Sequence, residues 1–165
     1  MYKWIFGTAC VLFLCGLSGR VEAQKLQKFD RSLLIFEAHG AVGWYGEIGG
    51  GFRVEIPVIL DIAKGVDDDL RASVGGDFRW FFHPRQDGFG GYPVAAAQWN
   101  FYVNPRWSFF PEAGLAGVFA PDRKYFWRSF IAPLGGVGAR YHFASRNALV
   151  MRINWPTGFQ AGVTF

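Results

Sequence analysis

The stretch Asn147-Ala148-Leu149-Val150-Met151-Arg152-Ile153-Asn154-Trp155-Pro156-Thr157-Gly158-Phe159-Gln160-Ala161-Gly162-Val163-Thr164-Phe165 decides how the rest of the chain is read. Leu149, Met151, Ile153 and Trp155 fall on one parity, and Ala148, Val150, Arg152 and Asn154 on the other. That is the period-two pattern of a strand with two unlike faces. Pro156-Thr157-Gly158 supplies turn residues, after which Phe159, Ala161, Val163 and Phe165 share one face and Gln160, Gly162 and Thr164 the other. Two strands of about eight or nine residues joined by a tight turn make a hairpin close to the length that crosses a bilayer as tilted β-structure.

The same rhythm runs back through the chain. Leu34, Phe36, Ala38, Gly40 and Val42 oppose Glu37 and His39; after Trp44-Tyr45-Gly46, Ile48, Phe52, Val54 and Ile56 oppose Glu47, Arg53 and Glu55. Asp61 to Asp69 reads as a polar loop. Beyond it Ala72, Val74, Phe78, Trp80 and Phe82 alternate with Arg71, Ser73, Asp77, Arg79 and His83. Pro84 to Pro93, with Asp87-Gly88 and Gly90-Gly91, reads as a long loop. A fourth strand sets Ala97, Trp99, Phe101 and Val103 against Gln98 and Asn100. The fifth runs from about Trp107 to Phe119, with Glu112 on its polar face, and the sixth reaches about Phe143, with Arg140 and His142 on its polar face. Pro57, Pro111 and Pro133 fall inside these strands, where a missing amide proton predicts a bulge or a strand end. A bulge at Pro133 would flip the facing of the residues before it.

The expected fold is therefore all-β: an eight-stranded antiparallel up-and-down transmembrane β-barrel spanning residues 24–165. With 165 residues the chain suits one domain, and its 22 glycines and 18 phenylalanines favour sheet over helix. The net charge is +4 and the positives are mostly scattered singly, Arg123-Lys124 being the one adjacent pair, so nucleic acid is not an expected partner. Which side faces outward follows from what each face contains. A soluble barrel should be rich in Lys, Glu, Ser and Thr outside, whereas here the polar face is narrow and the apolar face is crowded with Phe and Trp, which suits lipid. Trp44, Trp80, Trp99, Trp107, Trp127 and Trp155 lie mostly near strand ends, where interfacial girdles form.

The N-terminus reads as an export signal. Lys3 precedes an apolar core from Trp4 to Leu17, and Val21-Glu22-Ala23 offers small residues at the spacing a signal peptidase needs, so residues 1–23 are expected to be removed after Ala23. Both cysteines, Cys10 and Cys15, would leave with them.

The final strand resembles the C-terminal strand of bacterial outer-membrane β-barrels, in which the barrel-assembly machinery reads a terminal aromatic and the alternate apolar residues before it. Phe159, Ala161, Val163 and Phe165 carry the match, and Phe159, Val163 and Phe165 are the residues assigned to that signal. The architecture is similar to the OmpX-type and OmpA-type transmembrane domains. The resemblance implies a bacterial outer-membrane location, with outer-membrane lipid and the assembly machinery as partners, a monomeric state, and a structural, adhesive or surface-interaction role carried by external loops.

An eight-stranded barrel is just wide enough for its interior to fill with side chains. The inward charges Glu37, Arg53, Glu55, Arg71, Asp77, Arg79, Glu112, Arg140 and Arg152 are accordingly expected to pair as a lumen network, since charges taken from water are costly unless partnered. No catalytic, metal or cofactor residues are assigned, and no cofactor is expected. His39, His83 and His142 show no metal-ligand spacing. His142 with Ser145 resembles the His and Ser of outer-membrane lipid A deacylases, but no carboxylate follows Asp122 to complete such a site. A lipid-modifying enzyme in the same barrel and a soluble periplasmic ligand-binding barrel are the alternatives.

Overall fold

A computed structural model describes residues 30–82, 87–119, 131–144 and 147–165. The proposed leader and cleavage site, His83, Trp127 and Ser145 lie outside them. Eight strands, β1 (Ile35–Val42), β2 (Glu47–Leu60), β3 (Asp68–Phe81), β4 (Gly88–Asn104), β5 (Trp107–Gly117), β6 (Ile131–His142), β7 (Ala148–Trp155) and β8 (Gly158–Thr164), pair each with the next, and β8 pairs with β1. The result is the closed antiparallel up-and-down barrel that the period-two pattern predicted. Closure is made by the β1–β8 ladder and extended by a reciprocal pair, Phe165 N–H to Phe36 O at 2.9 Å and Phe36 N–H to Phe165 O at 3.1 Å.

The registers carried once round the wall displace the chain by about ten residues, which for a strand rise of about 3.3 Å and a spacing of about 4.8 Å tilts the strands by about 40°. The end where β1 begins and β8 finishes is called proximal here and the opposite end distal. The proximal connections are 61–67, 105–106 and 143–147; the distal ones are 43–46, 82–87, 118–130 and 156–157. The shortest distal turn needs a positive φ, and Gly158 provides it at 81°.

Three sequence expectations are corrected. Gly88 to Pro93 is the start of β4 rather than loop, because it pairs with Gly76 to Phe81 of β3. Asp68 and Asp69 belong to β3, paired with Phe101 and Asn100. Of the three prolines only Pro57 marks a bulge, at the register shift before Ile59. The β4 ladder passes over Phe110 and Pro111 and resumes in the same register. Pro133 lies beyond the end of β7, whose ladder begins at Gly135. Ala132 and Leu134 therefore keep the inward parity of Arg140, and the flip predicted for a bulge there does not occur.

Candidate functional site

Alternation decides what enters the lumen. On β3, Arg71, Ser73, Asp77, Arg79 and Phe81 are buried, while Val74, Phe78 and Trp80 between them are exposed on the outer face. All nine charges assigned inward are buried, none more than 4% exposed. The barrel is narrow enough for opposed walls to touch. Arg152 is the hub: it pairs with Glu37, reaches Glu112 at 3.3 Å and Glu55 at 3.7 Å, and so joins β7 to β1, β5 and β2. Arg53 meets Glu112 at 3.0 Å, Arg140 pairs with Glu55, and Arg79 pairs with Asp77 and lies 3.6 Å from Glu47. Phe110 sits against two guanidiniums, 4.7 Å from Arg140 and 5.4 Å from Arg152, and shields both.

Arg71 is the member whose carboxylate was missed. It binds Asp69 at 3.1 Å, and its remaining donors reach out of the ladder to the carbonyls of Leu33 at 3.0 Å and Arg31 at 2.6 Å. It thereby ties the segment before β1 to the proximal mouth. Asp69 also accepts from Asn100 at 2.6 Å and Tyr102 at 2.9 Å. Its position at the end of an apparent loop hid it; the Asp69-Arg71 spacing, two residues on one strand face, was the available signal.

His39 was placed on the polar face beside Glu37, and the fold sets it between two carboxylates. Nδ1 lies 2.9 Å from Glu37 Oε1 and Nε2 2.8 Å from Asp77 Oδ1. It stands buried among Arg53, Arg71, Arg79, Arg140 and Arg152 and the carboxylates Glu37, Glu47, Glu55, Asp69, Asp77 and Glu112.

Among the described residues His142 meets Ser108, on the neighbouring strand, with Oγ 2.9 Å from Nε2. Ser108 is 0% exposed and His142 2%. A hydroxyl so enclosed cannot meet a substrate, and the pair serves as a hydrogen bond within the wall. Among the described residues no group of three His, Cys, Asp or Glu side chains is arranged to hold a metal.

The distal part of the lumen is different. Phe81, Tyr92, Val94, Ala116, Val118, Ala132 and Leu134 pack together there as an apolar cluster, with Ala96 against it. Tyr92 marks the boundary, its hydroxyl donating to Glu47 Oε1 at 3.1 Å and its ring lying 4.9 Å from the Arg79 guanidinium.

No protein-family model matches the chain, and no curated protein matches it in sequence. In structure it is similar to a de novo designed transmembrane β-barrel, with a TM-score of 0.56 at 14% identity over 84% of this chain and 98% of the design. It is also similar to the Yersinia pestis outer membrane protein Ail in a phospholipid bilayer nanodisc, with a TM-score of 0.51 at 14% identity over 80% of this chain and 97% of Ail. At such identities the likeness is one of fold, and the fold these proteins share with this chain is the small closed barrel.

Proposed function

We propose that the chain is an exported outer-membrane barrel with a structural or surface-interaction role, its lumen a sealed core of paired charges rather than a conduit. The observation that carries this reading is the inversion of the two faces. Phe52, Val74, Phe78, Leu115, Val137 and Phe159 stand exposed on the outside while the arginines between them are enclosed. Continuous apolar surface of this extent is a liability in water and the normal state of a barrel wall in lipid. It also weighs against a soluble binding barrel, and the enclosure of Ser108 weighs against a lipid-modifying enzyme.

Phe159, Val163 and Phe165 project outward on the strand that closes the barrel, consistent with the proposed role of this strand in recognition by the assembly machinery. Removal of residues 1–23 during export completes the proposal. The test is cell fractionation of the full-length chain, its Phe165 deletion and Phe165→Tyr, with folding followed by heat-dependent gel mobility. The wild-type and tyrosine forms should partition into outer membranes and resist carbonate extraction. The deletion should fall well below them, because one lost apolar contact costs only about 1.5–3 kcal/mol and the recognition loss dominates. Recovery of the wild type in the soluble periplasm would overturn the membrane reading; equal assembly of all three would overturn the role of Phe165.

A further inference from the structure

The two ends of the lumen are closed by different means. The apolar cluster at the distal end lies between β3, β4, β5 and β6, so the wall itself carries that seal. At the proximal end the inward residues are polar, yet Asp69, Arg71, Asn100 and Ser108 are enclosed as completely. Residues 30–34, which lead into β1, reach over this end. The Arg71 guanidinium of β3 donates to the carbonyls of Leu33 at 3.0 Å and Arg31 at 2.6 Å, and the Arg31 guanidinium lies 5.6 Å from the Tyr102 ring of β4. The segment therefore runs from β1 across the mouth towards β4.

One half of this closure is fixed to the wall. In the 61–67 connection the amides of Ile62 and Ala63 donate to the Asp68 carboxylate at 2.8 and 3.1 Å, and the Trp99 indole N–H donates to the same group at 2.9 Å. Asp61 N–H bonds to Asp68 O at 2.9 Å, and Asp61 holds a positive φ of 54°, a conformation a non-glycine residue keeps only where its surroundings enforce it. Its carboxylate accepts from Arg31 at 2.8 Å; Arg31 also donates to Asp68 O at 3.0 Å and stands 3.7 Å from Asp67. The other half lies outside the ladders that pair β1, which begin at Ile35. Within it the amide and hydroxyl of Ser32 turn back on the Asp30 carboxylate at 3.0 and 2.6 Å, and it is held to the barrel through the side chains of Arg31 and Arg71. A segment held by side chains outside a ladder opens at lower cost than a strand.

We propose that residues 30–34 are a strap latched across the proximal mouth, with Arg31 as the latch, and that its release opens the charged interior to water and small solutes from that end alone. The proposal rests on the reading of the lumen as a sealed core. It assigns the proximal seal to a removable segment and the distal seal to the wall. Arg31 is the latch because it joins the strap to the anchored 61–67 connection, whereas Arg71 is a member of the lumen network that the strap covers.

The experiment uses the full-length chain carrying Cys10→Ser and Cys15→Ser, folded into phosphatidylcholine vesicles, with one cysteine placed in the lumen by Ser73→Cys. Ser73 lies one inward position beyond Arg71, is 0% exposed, and its hydroxyl makes no hydrogen bond among the described residues, so the probe leaves the charge network intact. A second chain carries Val94→Cys instead and reports on the distal cluster. Reaction with methyl methanethiosulfonate, a small neutral thiol reagent, is followed by mass spectrometry, and folding by heat-dependent gel mobility. Arg31→Ala should raise the labelling rate of the Ser73→Cys chain by about tenfold or more and leave that of the Val94→Cys chain unchanged. Asp61→Asn, which removes one charged tie and keeps the shape of the side chain, should give a smaller rise. If neither substitution speeds labelling of the Ser73→Cys chain, the strap is overturned and the sealed lumen stands. A matching rise in the Val94→Cys chain would also overturn it, because the whole barrel would then have loosened. Rapid labelling of the Ser73→Cys chain with Arg31 and Asp61 in place would overturn the sealed lumen itself.

Discussion

Two parts of one lumen solve the same filling problem in opposite ways. Through most of the barrel the interior is charge: Arg152, Glu112, Glu37, Glu55 and Arg53 bridge facing walls and leave little to packing. At the distal end, between β3, β4, β5 and β6, it is Phe81, Tyr92, Val94, Val118 and Leu134 in contact with one another. The difference shows what each solution requires. Charge fills a narrow tube when every guanidinium has a carboxylate within reach, because an unpaired buried charge costs far more than a pair returns. Apolar packing needs no pairing, and here it lies beside Glu47 and Arg79, keeping water from the end of the network and so strengthening its pairs.

The comparison is most easily broken at its hub. Arg152→Ala leaves Glu37, Glu55 and Glu112 short of a shared cation, and it should destabilise the barrel by about 3–5 kcal/mol, read as a drop in the urea midpoint of vesicle-inserted protein. A midpoint within error of wild type would mean that the charges are solvated in place and that packing holds the interior. Leu134→Ala, in the apolar part, should cost about 2–3 kcal/mol, the lower part of the usual range for a buried Leu. If it cost more than Arg152→Ala, the ranking of the two parts would be reversed. Ser108→Ala sharpens the comparison at the proximal end. It removes one neutral hydrogen bond to His142 and should cost about 1 kcal/mol, with the lipid A of a producing strain unchanged in mass spectra. A change in acyl content on this substitution would show the pair to be chemical rather than structural.

Much of this was legible before folding. The strand count, the closing hairpin and the inward position of all nine charges follow from parity, because an extended chain turns its side chains to alternate sides whatever its neighbours are. Legibility failed where parity stayed intact but its chemical contrast faded. Tyr92, Val94, Ala116 and Leu134 occupy the inward parity and are apolar, so the distal lumen looked like loop or interrupted strand. Asp69 failed for the reverse reason, its run of aspartates resembling a solvated turn.

The sequence by itself determined which side of each strand faces inward, since that is a property of consecutive residues. Only closure decided the partners. Arg152 and Glu37 stand 115 positions apart, and Arg53 and Gln160, joined at 3.1 Å, stand 107 apart. Their meeting depends on the shear of the whole sheet, a quantity summed over eight registers and encoded at no one of them. The same closure set His39 between Glu37 and Asp77 and brought Ser108 to His142.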